Sequence, residues 1–79
     1  MRLMLFGTSG CHLCEQAEII VNACVPDGVE TVDIAEQEQW QELYAVRIPV
    51  LYDSESGWEL GWPFDRAEVE AFIDRVARM

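Results

Sequence analysis

Two thiols three positions apart, Cys11 and Cys14, with His12 and Leu13 between them, are the residues of this chain best suited to chemistry. A thiolate is a nucleophile toward disulfides and a ligand for soft metals, so the surroundings decide which use is made of it. The pair follows the apolar run Leu3-Met4-Leu5-Phe6, closed by Gly7 and a polar turn Thr8-Ser9-Gly10, and precedes a stretch with helical spacing. At a helix N-terminus the free N–H groups and the positive end of the helix dipole favour a thiolate. Cys14, one turn further in, falls on the same face within disulfide reach. Cys11 therefore reads as the exposed attacking sulfur and Cys14 as the sheltered resolving one, the arrangement that forms and then releases a mixed disulfide.

Other uses of the same residues stay open at this point. Tetrahedral zinc needs four ligands, and the chain offers Cys11, Cys14, Cys24 and His12, of which Cys24 lies on the apolar stripe of the helix and cannot turn back; no metal site is expected. An iron–sulfur cluster shared by two subunits would use the right ligand type with few thiolates per chain. Two inert thiols are the remaining alternative. Cys24 reads as a small core residue in register with Ile20 and Val21. His12 is expected at the surface, where its protonated form would stabilise the Cys11 thiolate, or where it is a solvated imidazole without a role. Glu15 caps the helix start or is one of many surface acids.

The elements that must position the pair follow from changes of period. Leu3–Phe6 is a strand buried on both faces. Leu13, Ala17, Ile20, Val21 and Cys24 recur at helical spacing, and Pro26-Asp27-Gly28 stops that helix. Val29 to Ile34 alternates into a second strand. Asp33 and Glu36 read as a capping box opening a helix with Trp40, Leu43 and Tyr44 on one side, which ends before Pro49. Pro49 to Tyr52 is a third strand and Trp58 to Leu60 a fourth, joined by the loop Asp53-Ser54-Glu55-Ser56-Gly57. Asp65 caps the last helix with Glu68 as reciprocal cap, Phe64 staples onto Val69, and the core stripe is Val69, Phe72, Ile73 and Val76. The order β-α-β-α-β-β-α predicts an α/β domain over residues 1–79, with a four-stranded mixed sheet, three helices, a right-handed parallel crossover and an antiparallel hairpin.

Composition bounds the partners. Seventy-nine residues make one domain of radius of gyration roughly 12 Å. Fifteen acidic residues against five arginines and no lysine give a net charge of −10, so nucleic acid and anionic membrane surfaces are not expected partners. An anionic substrate would need a local positive spot, and Arg47, two residues before Pro49, is the candidate. Met1-Arg2-Leu3-Met4-Leu5-Phe6-Gly7 lacks the apolar length and cleavage site of a signal peptide, and no run approaches a membrane helix. The cytoplasm, where thiols stay reduced, is the expected location, and a monomer the expected state.

Cys11-His12-Leu13-Cys14 at the start of the first helix, the element order, and Arg47-Ile48-Pro49-Val50-Leu51 opening the third strand together resemble the glutaredoxins within the thioredoxin-like fold. With Thr8-Ser9-Gly10 and the short chain, the resemblance is closest to small bacterial glutaredoxin-like proteins, and it covers essentially the whole sequence. It implies a thiol-disulfide oxidoreductase that reduces protein or glutathione-mixed disulfides. It further implies a cis proline at Pro49 beside the nucleophilic Cys11, with Ile48 offering its backbone to an extended peptide or to glutathione, and Arg47 holding a glutathione carboxylate or favouring the thiolate. No tightly bound cofactor is implied; glutathione would be a co-substrate. Where the family carries a Gly-Gly-x-Asp-Asp type turn for glutathione, this chain reads Gly61-Trp62-Pro63-Phe64-Asp65. Gly61 and the capping Asp65 are kept, while Trp62 and Phe64 supply apolar surface suited to a protein or peptide disulfide.

Overall fold

The unbroken apolar run at the start of the chain demands a strand with protein on both faces, and the computed structural model places it so. It describes residues 2–26 and 28–78; Met1, Asp27 and Met79 lie outside the described residues, and with them Asp27 of the helix stop and Met1 of the leading segment. Strand β1 (Leu3–Gly7) lies inside a sheet of order β2-β1-β3-β4. Leu3 and Leu5 enter one core cluster, and Phe6, with Met4 beside it, enters another. β2 (Glu30–Asp33) runs parallel to β1, and β3 (Val50–Asp53) antiparallel to it with Phe6 opposite Val50. β4 (Glu59–Gly61) is antiparallel to β3, Gly61 facing Val50.

Helices cover both faces because both faces are apolar. α1 (His12–Cys24) and α3 (Arg66–Ala77) bury Ala17, Val21, Val69, Phe72 and Val76 against Leu3, Leu5 and Leu51. α2 (Glu38–Tyr44) covers the other face, where the Phe6 ring lies 4.9 Å from Trp40, 4.7 Å from Tyr44 and 5.4 Å from Tyr52, centroid to centroid. Full burial of a side chain such as Phe6 or Leu51 contributes about 1.5–3 kcal/mol, which makes these two clusters the main source of stability. The radius of gyration is 11.7 Å, as the chain length predicts. No helix among the described residues is long and apolar enough to cross a membrane.

The expected mixed sheet, three helices and element order are present, with local departures that have physical causes. Asp33 does not open α2. Its Oδ1 accepts from the Ala35 N–H at 2.9 Å and closes a short 3-10 turn over Ile34–Glu36; the chain then straightens at Gln37, and α2 begins without a side-chain cap. Leu13 is 46% exposed, because the inward position at that point of α1 belongs to Cys14. Leu43 is 59% exposed, the α2 face being filled by Trp40 and Tyr44. The second strand is shorter than Val29 to Ile34, and the fourth starts at Glu59 rather than Trp58. Asp65 Oδ1 accepts from the Glu68 N–H at 2.8 Å, and Phe64 and Val69 share a core cluster, so the expected cap and staple of α3 are present.

Candidate functional site

Cysteine at the end of a turn can cap a helix only if its sulfur folds back over the first N–H groups, and Gly10 makes that turn possible. Its φ of +75° lies in the left-handed region open to glycine. Cys11 then takes the N-cap of α1, its Sγ accepting from the Cys14 N–H at 3.2 Å while its carbonyl accepts from the Glu15 N–H at 3.1 Å. Cys11 and Cys14 are joined as a disulfide with their Cα atoms 5.2 Å apart. Cys11 is half-buried and Cys14 buried.

Gly7 is the floor beneath Cys14. A Cβ at Gly7 would lie 3.1 Å from both Cβ and Sγ of Cys14, a tight contact that would require Cys14 to move by a few tenths of an ångström. A cavity of about 290 Å³ opens beside the disulfide, walled by Gly7, Thr8, Cys14, Glu15, Glu18 and Asp33 among others. Asp33 stands across β1 from Gly7. The Ala35 N–H, chiefly, and the Ser9 hydroxyl, whose Oγ donates at 3.1 Å, hold its carboxyl below the usual carboxylate range, so the cavity wall carries fixed negative charge.

The antiparallel register places β3 on the other side of β1 from β2. Phe6 faces Val50, so the next step along both strands sets Pro49 across from Gly7, at the same end of the sheet as the disulfide. The Ile48–Pro49 peptide is cis, as is Trp62–Pro63. The Trp62 N–H donates to the Pro49 carbonyl at 3.2 Å, bringing the Gly61–Asp65 turn against this strip, and the Trp62 and Phe64 rings meet edge to face at 5.0 Å. Ile48, Pro49, Gly61 and Trp62 are thus brought together. Asp65 is occupied as the cap of α3.

The two residues considered for thiolate tuning are placed differently. His12 is 92% exposed at its side chain, and its Nδ1 lies 3.7 Å from Glu15. Arg47 pairs with Glu59 on β4 and lies over the Tyr44 ring at 5.2 Å from its centroid. The Tyr44 hydroxyl donates to the second Glu59 oxygen at 2.8 Å. Burial works against the Glu59 charge, but the bonds from Arg47 and Tyr44 outweigh it and hold the carboxyl below its ordinary value. Burial and the Glu59 bond push the Tyr44 phenol up to about 12. Gly7, Asp33 and Glu59 were not singled out by sequence for this site. Gly7 alone carried a signal, a glycine ending a buried strand just before the cysteines. Among the described residues no group of three or more His, Cys, Asp or Glu is placed to hold a metal ion.

The family described as glutaredoxin-like domain (DUF836) matches residues 2–74. A target protein from X. campestris, XcR50, is similar in its crystal structure at 36% identity, covering 92% of this chain and 96% of that one, with a TM-score of 0.80. Protein Ne2328 from Nitrosomonas europaea is 28% identical over 90% of this chain and 88% of its own, with a TM-score of 0.74. Thioredoxin 1 from Thermosipho africanus, 16% identical, shares the fold with a TM-score of 0.72 over 99% of this chain and 96% of its own. No curated protein matches the chain.

Proposed function

The chain belongs to the glutaredoxin-like domain family, and on that premise we propose that it is a thiol-disulfide oxidoreductase acting through Cys11 and Cys14. The observation that carries this reading is the Cys11 sulfur capping α1, since an N–H group aimed at sulfur stabilises the thiolate more than the thiol. In the reduced protein the Cys11 thiolate attacks one sulfur of a substrate disulfide. The substrate S–S bond breaks, a mixed disulfide forms, and one substrate thiolate leaves. Cys14 then attacks the Cys11 sulfur, its proton passing to the departing second thiolate, so that two electrons end on the substrate and the protein holds the Cys11–Cys14 disulfide. An external thiol reductant restores the dithiol.

In this reading half-buried Ile48, held by the buried Pro49 and neighboured by Gly61 and Trp62, forms the strip along which an extended substrate segment docks. Glutathione is a co-substrate or the reductant rather than a bound cofactor, and the protein works as a cytoplasmic monomer. The deciding experiment is a glutathione redox titration, acid-quenched, alkylated and read by intact mass. Conversion of Cys11 and Cys14 to a disulfide at a potential between about −150 and −300 mV supports the assignment. Both thiols remaining free across that range overturns it.

A further inference from the structure

The charge on the substrate can be read from what the arginines are doing. The chain has five, all described, against fifteen acids. Arg2 faces Glu30, Arg66 pairs with Glu70 and Arg78 with Asp74, while Arg75 lies over the Trp58 ring. The fifth, Arg47, is the cation next to the Ile48–Pro49 strip, and it is taken by Glu59. That carboxylate has both oxygens engaged, one by Arg47 and one by Tyr44, and the Tyr44 ring lies under the guanidinium. On the other side of the disulfide, Glu15, Glu18 and Asp33 line the cavity, and none of its lining residues is cationic. An anion entering the cavity beside the disulfide meets carboxylates, and the arginine that precedes Ile48 and Pro49 is already paired.

We infer that Glu59 is a specificity-determining residue which, by holding Arg47, makes the redox site select cationic over anionic disulfides, so that its substrate is a protein or peptide disulfide flanked by arginine or lysine. The inference rests on the oxidoreductase reading and names its substrate class. The physical basis is long-range as well as local. A net charge of −10 and a carboxylate-lined cavity repel glutathione disulfide, which carries excess negative charge, and raise the encounter rate of a basic segment. Fields of this kind change association rates by about 10- to 1,000-fold and fade as salt shortens the screening length to about 3 Å at 1 M. Replacing Glu59 by glutamine keeps a hydrogen-bonding side chain of the same size at the end of Tyr44 but releases the Arg47 charge toward the strip.

The test uses the full chain, reduced, with three disulfides: an arginine-flanked cystine peptide, glutathione disulfide and neutral bis(2-hydroxyethyl) disulfide. Second-order rates are taken relative to the neutral compound at low and high salt. The expected result is a cationic peptide at least about 10-fold faster than glutathione disulfide at low salt, the gap closing as salt rises. Glu59→Gln is expected to raise the relative rate with glutathione disulfide by about 5- to 10-fold, and the added change Arg47→Ala to remove that gain, a reversal that loss of packing would not produce. Equal rates for the cationic and anionic disulfides at low salt overturn the inference, as does a Glu59→Gln variant with the same relative preference as the parent. These outcomes leave the oxidoreductase reading standing if the neutral disulfide is reduced and Cys11→Ser abolishes that reduction. Failure to reduce any of the three overturns both.

Discussion

Helix α1 carries a cysteine near each end, and the two ends treat sulfur in opposite ways. At the N-terminus, Cys11 accepts a hydrogen bond from the Cys14 N–H and sits where the helix leaves its first N–H groups without backbone partners. At the C-terminus, Cys24 becomes a donor, its Sγ lying 3.7 Å from the Arg66 carbonyl in the seam between α1 and α3. Burial and then the Glu70 carboxylate push the Cys24 thiol above its ordinary value, with Arg66 offsetting only part of this. One residue type on one element therefore has a sulfur that accepts a hydrogen bond at one end and donates one at the other. The environment of each sulfur is set by the helix end and the charges around it, more than by the residue type.

The largest effect is expected at Cys11. Cys11→Ser is expected to reduce disulfide exchange by at least about 1,000-fold, since the nucleophile itself is lost, while Cys24→Ser leaves the exchange intact. Loss of activity in the Cys24 variant instead would reverse the reading of the two ends. Cys14→Ser removes the resolving sulfur, and the expected result is a smaller loss together with a mixed disulfide accumulating on Cys11, seen as added substrate mass in non-reducing mass spectrometry. Gly7→Ala acts on the support beneath Cys14. Its new Cβ would meet Cys14 at 3.1 Å, and the expected cost is about 1–3 kcal/mol, measured as a lower urea midpoint. An unchanged midpoint would mean that α1 can shift away from β1 freely.

The structure at the N-terminal end of α1 was largely legible in the sequence because it is built from local signals. Two cysteines one turn apart, a glycine-closed strand before them and a helical stripe after them specify a strand–turn–helix with sulfur at the cap. The same holds for α3, where Asp65, Glu68, Phe64 and Val69 sit within a few residues of one another. What depended on pairing across the sheet was not legible. Arg47 stands near Pro49 in sequence, but its charge is met by Glu59, and that meeting exists only because Tyr52 is in register with Glu59 on the face that α2 covers. Asp33 carried a good local signal and still misled. A side-chain bond to Ala35 closes a tighter turn than the capping box would have, and it leaves the carboxylate at the wall of the redox cavity. Leu13 and Leu43 show the same limit, since helical spacing alone gives the stripe to within one position, and Cys14 and Tyr44 took the inward places.

The smallest effect is expected at the quiet end of α1, and its sign follows from the direction of the shift. Cys24 holds its proton more tightly in the folded chain than the ordinary value of 9.0 allows in the unfolded one. As pH rises through that value the unfolded chain loses this proton first, so the contribution of Cys24 to stability is complete below about pH 9 and declines above it. Cys24→Ala should therefore flatten the alkaline part of a stability-against-pH curve by a small amount, measured by urea unfolding between neutral pH and the alkaline limb. In kinetic terms, iodoacetamide at pH 8 should label Cys24 of the reduced folded protein several-fold more slowly than the same thiol in urea, and after Cys11. Burial and a lowered thiolate fraction act in the same direction, so labelling of Cys24 ahead of Cys11 would show that the helix ends do not divide the two sulfurs as their hydrogen bonds indicate.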